Sequence, residues 1–100
     1  MSKITIALQD GFRNDSVVIT VNDEEVFRKS GVSTNLAISL AESIEATVSV
    51  NDVRLEVDVL SRHTKTTRTL RASECPYVSI RLKDSGKPEI TPSKEAFRYF

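Results

Sequence analysis

Cysteine, tryptophan, glycine and proline are all scarce in this 100-residue chain, and each scarcity excludes something. One cysteine, Cys75, cannot close an intramolecular disulfide, so stability must come from an apolar core, which a chain of this length can bury. Three glycines, at positions 11, 31 and 86, are too scattered for a phosphate-cradling loop. With no tryptophan and 6% aromatic residues, few rings are left for stacking on bases or sugars. No apolar run nears the roughly 18–20 residues of a membrane span. The opening MSKITIALQDG has no long apolar segment of the secretory kind. The expectation is a cytoplasmic protein with no membrane partner, in which the Asn14-Asp15-Ser16 sequon stays bare.

An excess of one charge is missing too. Fourteen Lys and Arg balance fourteen Asp and Glu, so no overall field recruits nucleic acid. The halves differ: residues 1–50 hold four cations against seven acids, and residues 51–100 hold ten against seven.

What the chain has is alternation. In TVSVNDVRLEVDVL, from Thr47 to Leu60, Val48 and Val50 share one face, and Val53, Leu55, Val57 and Val59 share one face of the next run. Arg54, Glu56 and Asp58 point away, the period-2 mark of half-buried strands. This reads as a central hairpin turning at Asn51-Asp52. Ile4, Ile6 and Leu8 mark a strand ending at Asp10-Gly11, and Val17, Ile19 and Val21 mark one ending at Asn22-Asp23. A short strand at 25–28 closes at Lys29-Ser30-Gly31. Residues 32–43 fit either a strand, through Leu36, Ile38 and Leu40, or a helical stripe, through Leu36, Leu40 and Ile44. Strand is preferred because Asn35 and two serines are mediocre helix formers. Thr66 to Ala72, then Val78, Ile80 and Leu82, and finally Glu89 to Thr91 before Pro92, complete the set.

Seven to nine short strands in 100 residues predict an all-β fold, an antiparallel two-layer β-sandwich of immunoglobulin-like or transthyretin-like kind. A partly open β-barrel is the alternative. The chain reads as a single domain, 1–100, with residues 93–100 as an aromatic tail. The stretch VNDEEVFRKSGVSTNLAISLAESIEATV, Val21 to Val48, and the closing KEAFRYF resemble a small bacterial all-β family without an assigned activity. That resemblance implies the sandwich and adds no catalytic residue or ligand.

No constellation carries catalysis. Cys75 and His63 are each single; the first precedes a proline at a strand entry as a small packing residue, and the second lies in a polar loop beside Arg62 and Lys65. No cofactor or metal is expected. Two acid clusters, Asp10/Asn14/Asp15 and Asn22 to Glu25, could tempt calcium, but they bracket a strand and stand roughly 20 Å apart, too far to share one ion. Asn51-Asp52 would have to join the first.

The basic, Thr-rich run from Ser61 to Ser73 is a candidate ligand face. Arg62, His63, Lys65, Arg68 and Arg71, with Tyr77 as a stacking ring, could hold a carbohydrate or small anion. Equally, charge on an edge strand guards against aggregation. Phe97, Tyr99 and Phe100 are candidate interface residues, covering the sandwich's own end or entering another subunit. The resulting expectation is a non-enzymatic interaction or accessory domain acting through protein contacts, self-association included. Its alternative is a binding module for a carbohydrate or small anion through the basic face.

Overall fold

A computed structural model describes residues 2–95; Phe97, Tyr99 and Phe100 lie outside them. Eight strands follow in chain order: β1 (Ser2–Leu8), β2 (Asp15–Val21), β3 (Glu24–Val32), β4 (Glu42–Val48), β5 (Asp52–Val59), β6 (Thr64–Arg71), β7 (Tyr77–Leu82) and β8 (Pro88–Ser93). A single 3-10 turn, Leu60–Arg62, links β5 to β6. The strands form two four-stranded sheets, ordered β4-β1-β7-β8 and β3-β2-β5-β6. Every pairing is antiparallel except β1 with β7. The architecture is an all-β sandwich, and neither sheet closes into a barrel.

Alternation builds the core as the sequence implies. Ile4, Ile6 and Leu8 of β1, Val17, Ile19 and Val21 of β2, Leu55, Val57 and Val59 of β5, and Val78, Ile80 and Leu82 of β7 meet in one buried cluster, which Phe12 plugs at one end. Turn chemistry fixes the tightest hairpin. Asn22 and Asp23 both take positive φ, 50° and 68°, the two-residue turn whose twist matches its flanking strands. Asn22 then accepts the Arg54 N–H at 2.7 Å and donates its own N–H to the Arg54 carbonyl at 3.0 Å.

Four expectations need correction. Thr47 to Leu60 is not a hairpin: β4 pairs with β1, β5 pairs with β2 and β6, and residues 49–51 carry the chain from one sheet to the other. Val48 and the Val53 to Val59 run still face the same core, with Val50 turned out to solvent on the link, so up to Val48 alternation is identical for a hairpin and for a link across the sandwich. Residues 33–41 are neither strand nor helix. The Asn35 side chain accepts the Ala37 N–H at 3.0 Å, Ser39 sits at φ 54°, and the loop closes on an Asn35–Leu40 bridge. That local capture is why asparagine and serine favour turns.

The third strand is longer than expected, because Lys29-Ser30-Gly31 continues it as a bulge instead of ending it. Thr20 faces Glu25 while Ile19 faces Phe27, so Val26 is an extra residue, and a second one falls between Lys29 and Val32 beside Gly31 at φ 70°. Similarly, Pro92 lies inside β8 and Pro88 starts it.

Burial separates residues that composition treats alike. Leu55 is fully buried, whereas Leu36 is 89% exposed. Leu55→Ala is expected to cost about 2–4 kcal/mol in chemical denaturation, and Leu36→Ala to change stability by less than about 0.5 kcal/mol. Equal effects would refute the assigned burial.

Candidate functional site

Loops 9–14, 33–41, 60–63 and 83–87 gather at one end of the sandwich, and Asp15 is their common anchor. Its side chain is 2% exposed as a residue and carries four donors. Arg62 grips it with two parallel bonds, Nε to Oδ1 at 2.9 Å and Nη2 to Oδ2 at 3.1 Å. Ser61 Oγ donates to Oδ1 at 2.7 Å, and the Arg13 N–H donates to Oδ2 at 2.8 Å. Arg62 Nη2 also reaches the Gly11 carbonyl at 3.2 Å, and Ser61 Oγ accepts the Ser16 N–H at 3.1 Å. One ion pair therefore ties two loops, 9–14 and 60–63, to the start of β2.

Gly86 makes room for Arg62, and Gly11 for the backbone of β7. A Cβ at Gly86 would stand 2.9 Å from Arg62 Cδ, and one at Gly11 would stand 2.5 Å from the Leu82 carbonyl. Burial on its own would push the Asp15 carboxyl up. The hydrogen bonds from Arg62, Arg13 and Ser61, with the Arg62 charge, outweigh it and hold the carboxyl below its ordinary value of 3.8.

The basic run divides by parity. Thr64, Thr66 and Arg68 lean toward β8, and their side chains donate to the Gly86, Pro88 and Ile90 carbonyls at 2.7, 2.7 and 3.0 Å. Three donors at i, i+2, i+4 thus meet three acceptors at i, i+2, i+4, lacing one sheet edge to the other. Pro88 shares that outward direction with its carbonyl, so its missing N–H falls where no strand partner stands. The opposite parity faces outward in cross-strand ion pairs, Lys65 with Glu56 at 3.6 Å and Arg71 with Asp52 at 3.5 Å.

The structure therefore does not gather the sequence-named residues into one pocket. Arg62 is spent on Asp15, Arg68 on β8, and Lys65 and Arg71 on β5 acids. His63 holds the αL position at φ 55° after the 3-10 turn. Tyr77 is half-buried at the start of β7, in the other sheet, between Thr5 and Ser93. The Asp23 to Glu25 turn and the Arg62 to Lys65 loop lie at opposite ends, and Asp23 pairs with Arg54. Asn51-Asp52 likewise sits at the Asn22 end, away from Asp10 to Asp15.

Catalytic geometry can be judged directly. His63 precedes β6 and the half-buried Cys75 follows it, so eight residues of strand, roughly 26 Å, keep thiol and imidazole apart. Among the described residues no three His, Cys, Asp or Glu side chains converge as metal ligands, and no helix is long and apolar enough to cross a membrane.

Sequence reasoning weighed Asp15 only as a calcium ligand, and it missed the roles of Ser61, Thr64 and Thr66. The available signal was the period-2 series Thr64, Thr66, Arg68, Leu70, which puts donors at core-facing positions and so announces acceptors opposite.

Among the recesses on the surface, one of about 310 Å³ lies beside the Asp15 knot, lined by Gly11, Arg13, Arg62, Lys83 and Asp84. A second groove, of about 240 Å³, lies at the Asn22 end among Val26, Thr47, Val48 and Val50.

Arg62→Ala, which strands a buried carboxylate, is expected to cost about 3 kcal/mol. Arg62→Lys should recover only part of that, since an ammonium cannot make the paired bonds. Because the folded carboxyl lies below its unfolded value, its contribution is complete above that value and disappears as pH falls through the folded one. Denaturation midpoints should therefore drop below about pH 4 in the native protein and drop less steeply in Asp15→Asn. Parallel acid profiles would remove Asp15 as the anchor.

Comparison with known proteins finds no matching family model, no matching curated protein and no matching solved structure, so neither the resemblance of Val21 to Val48 nor the closing KEAFRYF brings a family with it.

Proposed function

We propose that this protein is a non-enzymatic module that works by contact with other polypeptides, its own copies included. The observation that carries this reading is the difference between the two sides of the sandwich. On one side β6 and β8 are laced by side chains that satisfy backbone carbonyls. On the other, the Lys29–Glu42 ion pair bridges β3 and β4, and Val26 and Val50 stand 37% and 55% exposed beside them. An edge left with unpaired backbone groups beside apolar side chains is the chemistry of strand addition.

A second reading is supported by the recess at the Asp15 end. Arg13, Arg62 and Lys83 face one acid there, Asp84, which suits a small anion or an acidic sugar. No ring among its lining residues offers a stacking surface, so the anion is favoured over the carbohydrate.

Light scattering behind a sizing column, run on the intact chain over a wide concentration range, separates the two. A mass rising from the 11.1 kDa of one chain supports the contact reading. A mass fixed at one chain, together with a saturable rise in thermal midpoint on adding inorganic phosphate that Arg13→Ala abolishes, reverses the order.

A further inference from the structure

The two outer faces of the sandwich are built differently. On the sheet β3-β2-β5-β6, the outward positions along the middle of β5 are Arg54, Glu56 and Asp58, all charged. On the sheet β4-β1-β7-β8, the register that turns Ile4, Ile6, Leu8, Val78 and Ile80 to the core turns Thr5, Ala7, Tyr77 and Ser79 outward, with Ser43 beside Ala7 on β4 and Thr91 beside Ser79 on β8. This central patch holds no charge. The charges that rim it pair with one another, Lys3 with Glu45, Arg81 with Asp10 and Lys83 with Glu89.

An outer patch of small side chains should be wet, yet Ala7 is 0% exposed and Ser79 7%, and neither belongs to the core cluster. Ser43, Ser79 and Thr5, the neighbours of Ala7 in the register, are too short to close over its methyl group, and Tyr77 is itself half-buried. Burial at these two positions requires a cover on the outside of the sheet.

The chain has a segment that can supply it. β8 ends at Ser93, which stands opposite Tyr77 and so shares its outward direction. Ser93 Oγ accepts the Glu95 N–H at 3.2 Å and donates to the Glu95 carbonyl at 3.0 Å, which draws the backbone leaving β8 to the outer side. Beyond Glu95 come AFRYF, three aromatics among them. At roughly 3.3 Å per residue these reach about 16 Å, and with strands about 4.8 Å apart β1 lies about 10 Å across the sheet from β8.

We infer that residues 96–100 form a strap across the outer face of this sheet, seated on Ala7 and Ser79. The occupant is the chain's own C-terminus, independently of the contact reading above. An extended strap turns Phe97 and Tyr99 to one side and Arg98 to the other, so two rings rest on the uncharged patch while the guanidinium stays in water.

The test couples the patch to the tail, at a dilution where light scattering gives the native protein the mass of one chain. Ala7→Glu sets a charge beneath the strap and should lower the native thermal midpoint by about 5–10 °C. In a full-length Phe97→Ser/Tyr99→Ser/Phe100→Ser variant, whose own midpoint is reduced, the same change should cost far less. A second readout needs no change at Ala7: its methyl proton resonance, moved upfield by the rings in the native chain, should shift downfield in the triple variant. Equal costs of Ala7→Glu in the two backgrounds, or an unmoved methyl resonance, overturn the strap. Coupling that appears only at concentrations where chains associate puts the tail on a second copy and equally overturns it. A native chain of single-chain mass at every concentration counts against the contact reading and leaves the strap standing.

Discussion

Every open β-sheet ends in rows of N–H and C=O groups with no partner, and a two-sheet sandwich has four such rows to manage. Much of what is unusual in this chain follows from how each row is treated. Along β8 the carbonyls of Gly86, Pro88 and Ile90 are satisfied by side chains from β6, and proline occupies positions where an N–H would have had no taker. Along β3 bulges bend the edge away. Only β4 is left straight and regular. An unsatisfied regular edge is a template on which another backbone can pair.

The basic run from Ser61 to Ser73 shows how composition can point to a ligand when the chemistry is internal. Cations and threonines in a strand suggest an anion-binding face, and the physics of donors is correctly read. What they bind is the protein's own carbonyls and carboxylates. Arg62 shows this best: its planar fork matches the Asp15 carboxylate bond for bond, and Ser61 and the Arg13 N–H complete the shell. A buried acid so fully satisfied joins two loops to β2 and leaves the guanidinium little freedom to serve a ligand. The recess beside it, with Arg13 and Lys83, is where cationic surface persists.

The two ends of the sandwich are chemically distinct. The Asp15 end is cross-tied, with Thr34 Oγ1 accepting the Phe12 N–H at 3.1 Å and donating to the Gln9 carbonyl at 2.5 Å, while Leu36 and Leu60 stand exposed on its loops. The Asn22 end is held by tight asparagine turns: Asn51 accepts the Ala72 N–H through its carbonyl and the Ser73 N–H through its side chain. Between turns it leaves Val26 and Val50 in water, and the unguarded edge of β4 runs down to it.

By itself the sequence determined which residues face the core. Period-2 alternation at Ile4, Ile6, Leu8, at Val17, Ile19, Val21, at Val53 through Val59 and at Val78, Ile80, Leu82 identified the strands and the class of fold, since side-chain direction in a strand depends only on local geometry. The Asn22-Asp23 turn was equally legible, because positive φ has a residue preference. Only the tertiary structure decided which strands are neighbours. Val48 and Leu55 face inward whether their strands pair or stand in opposite sheets, and nothing local to Ser49, Val50 and Asn51 records the difference. It also decided which cations are free, because Asp15 is 47 residues from Arg62 and Ile90 is 22 from Arg68. A long-range polar contact has no period and no spacing to betray it, so the treatment of the edges, and with it the candidate site, became visible only in the fold.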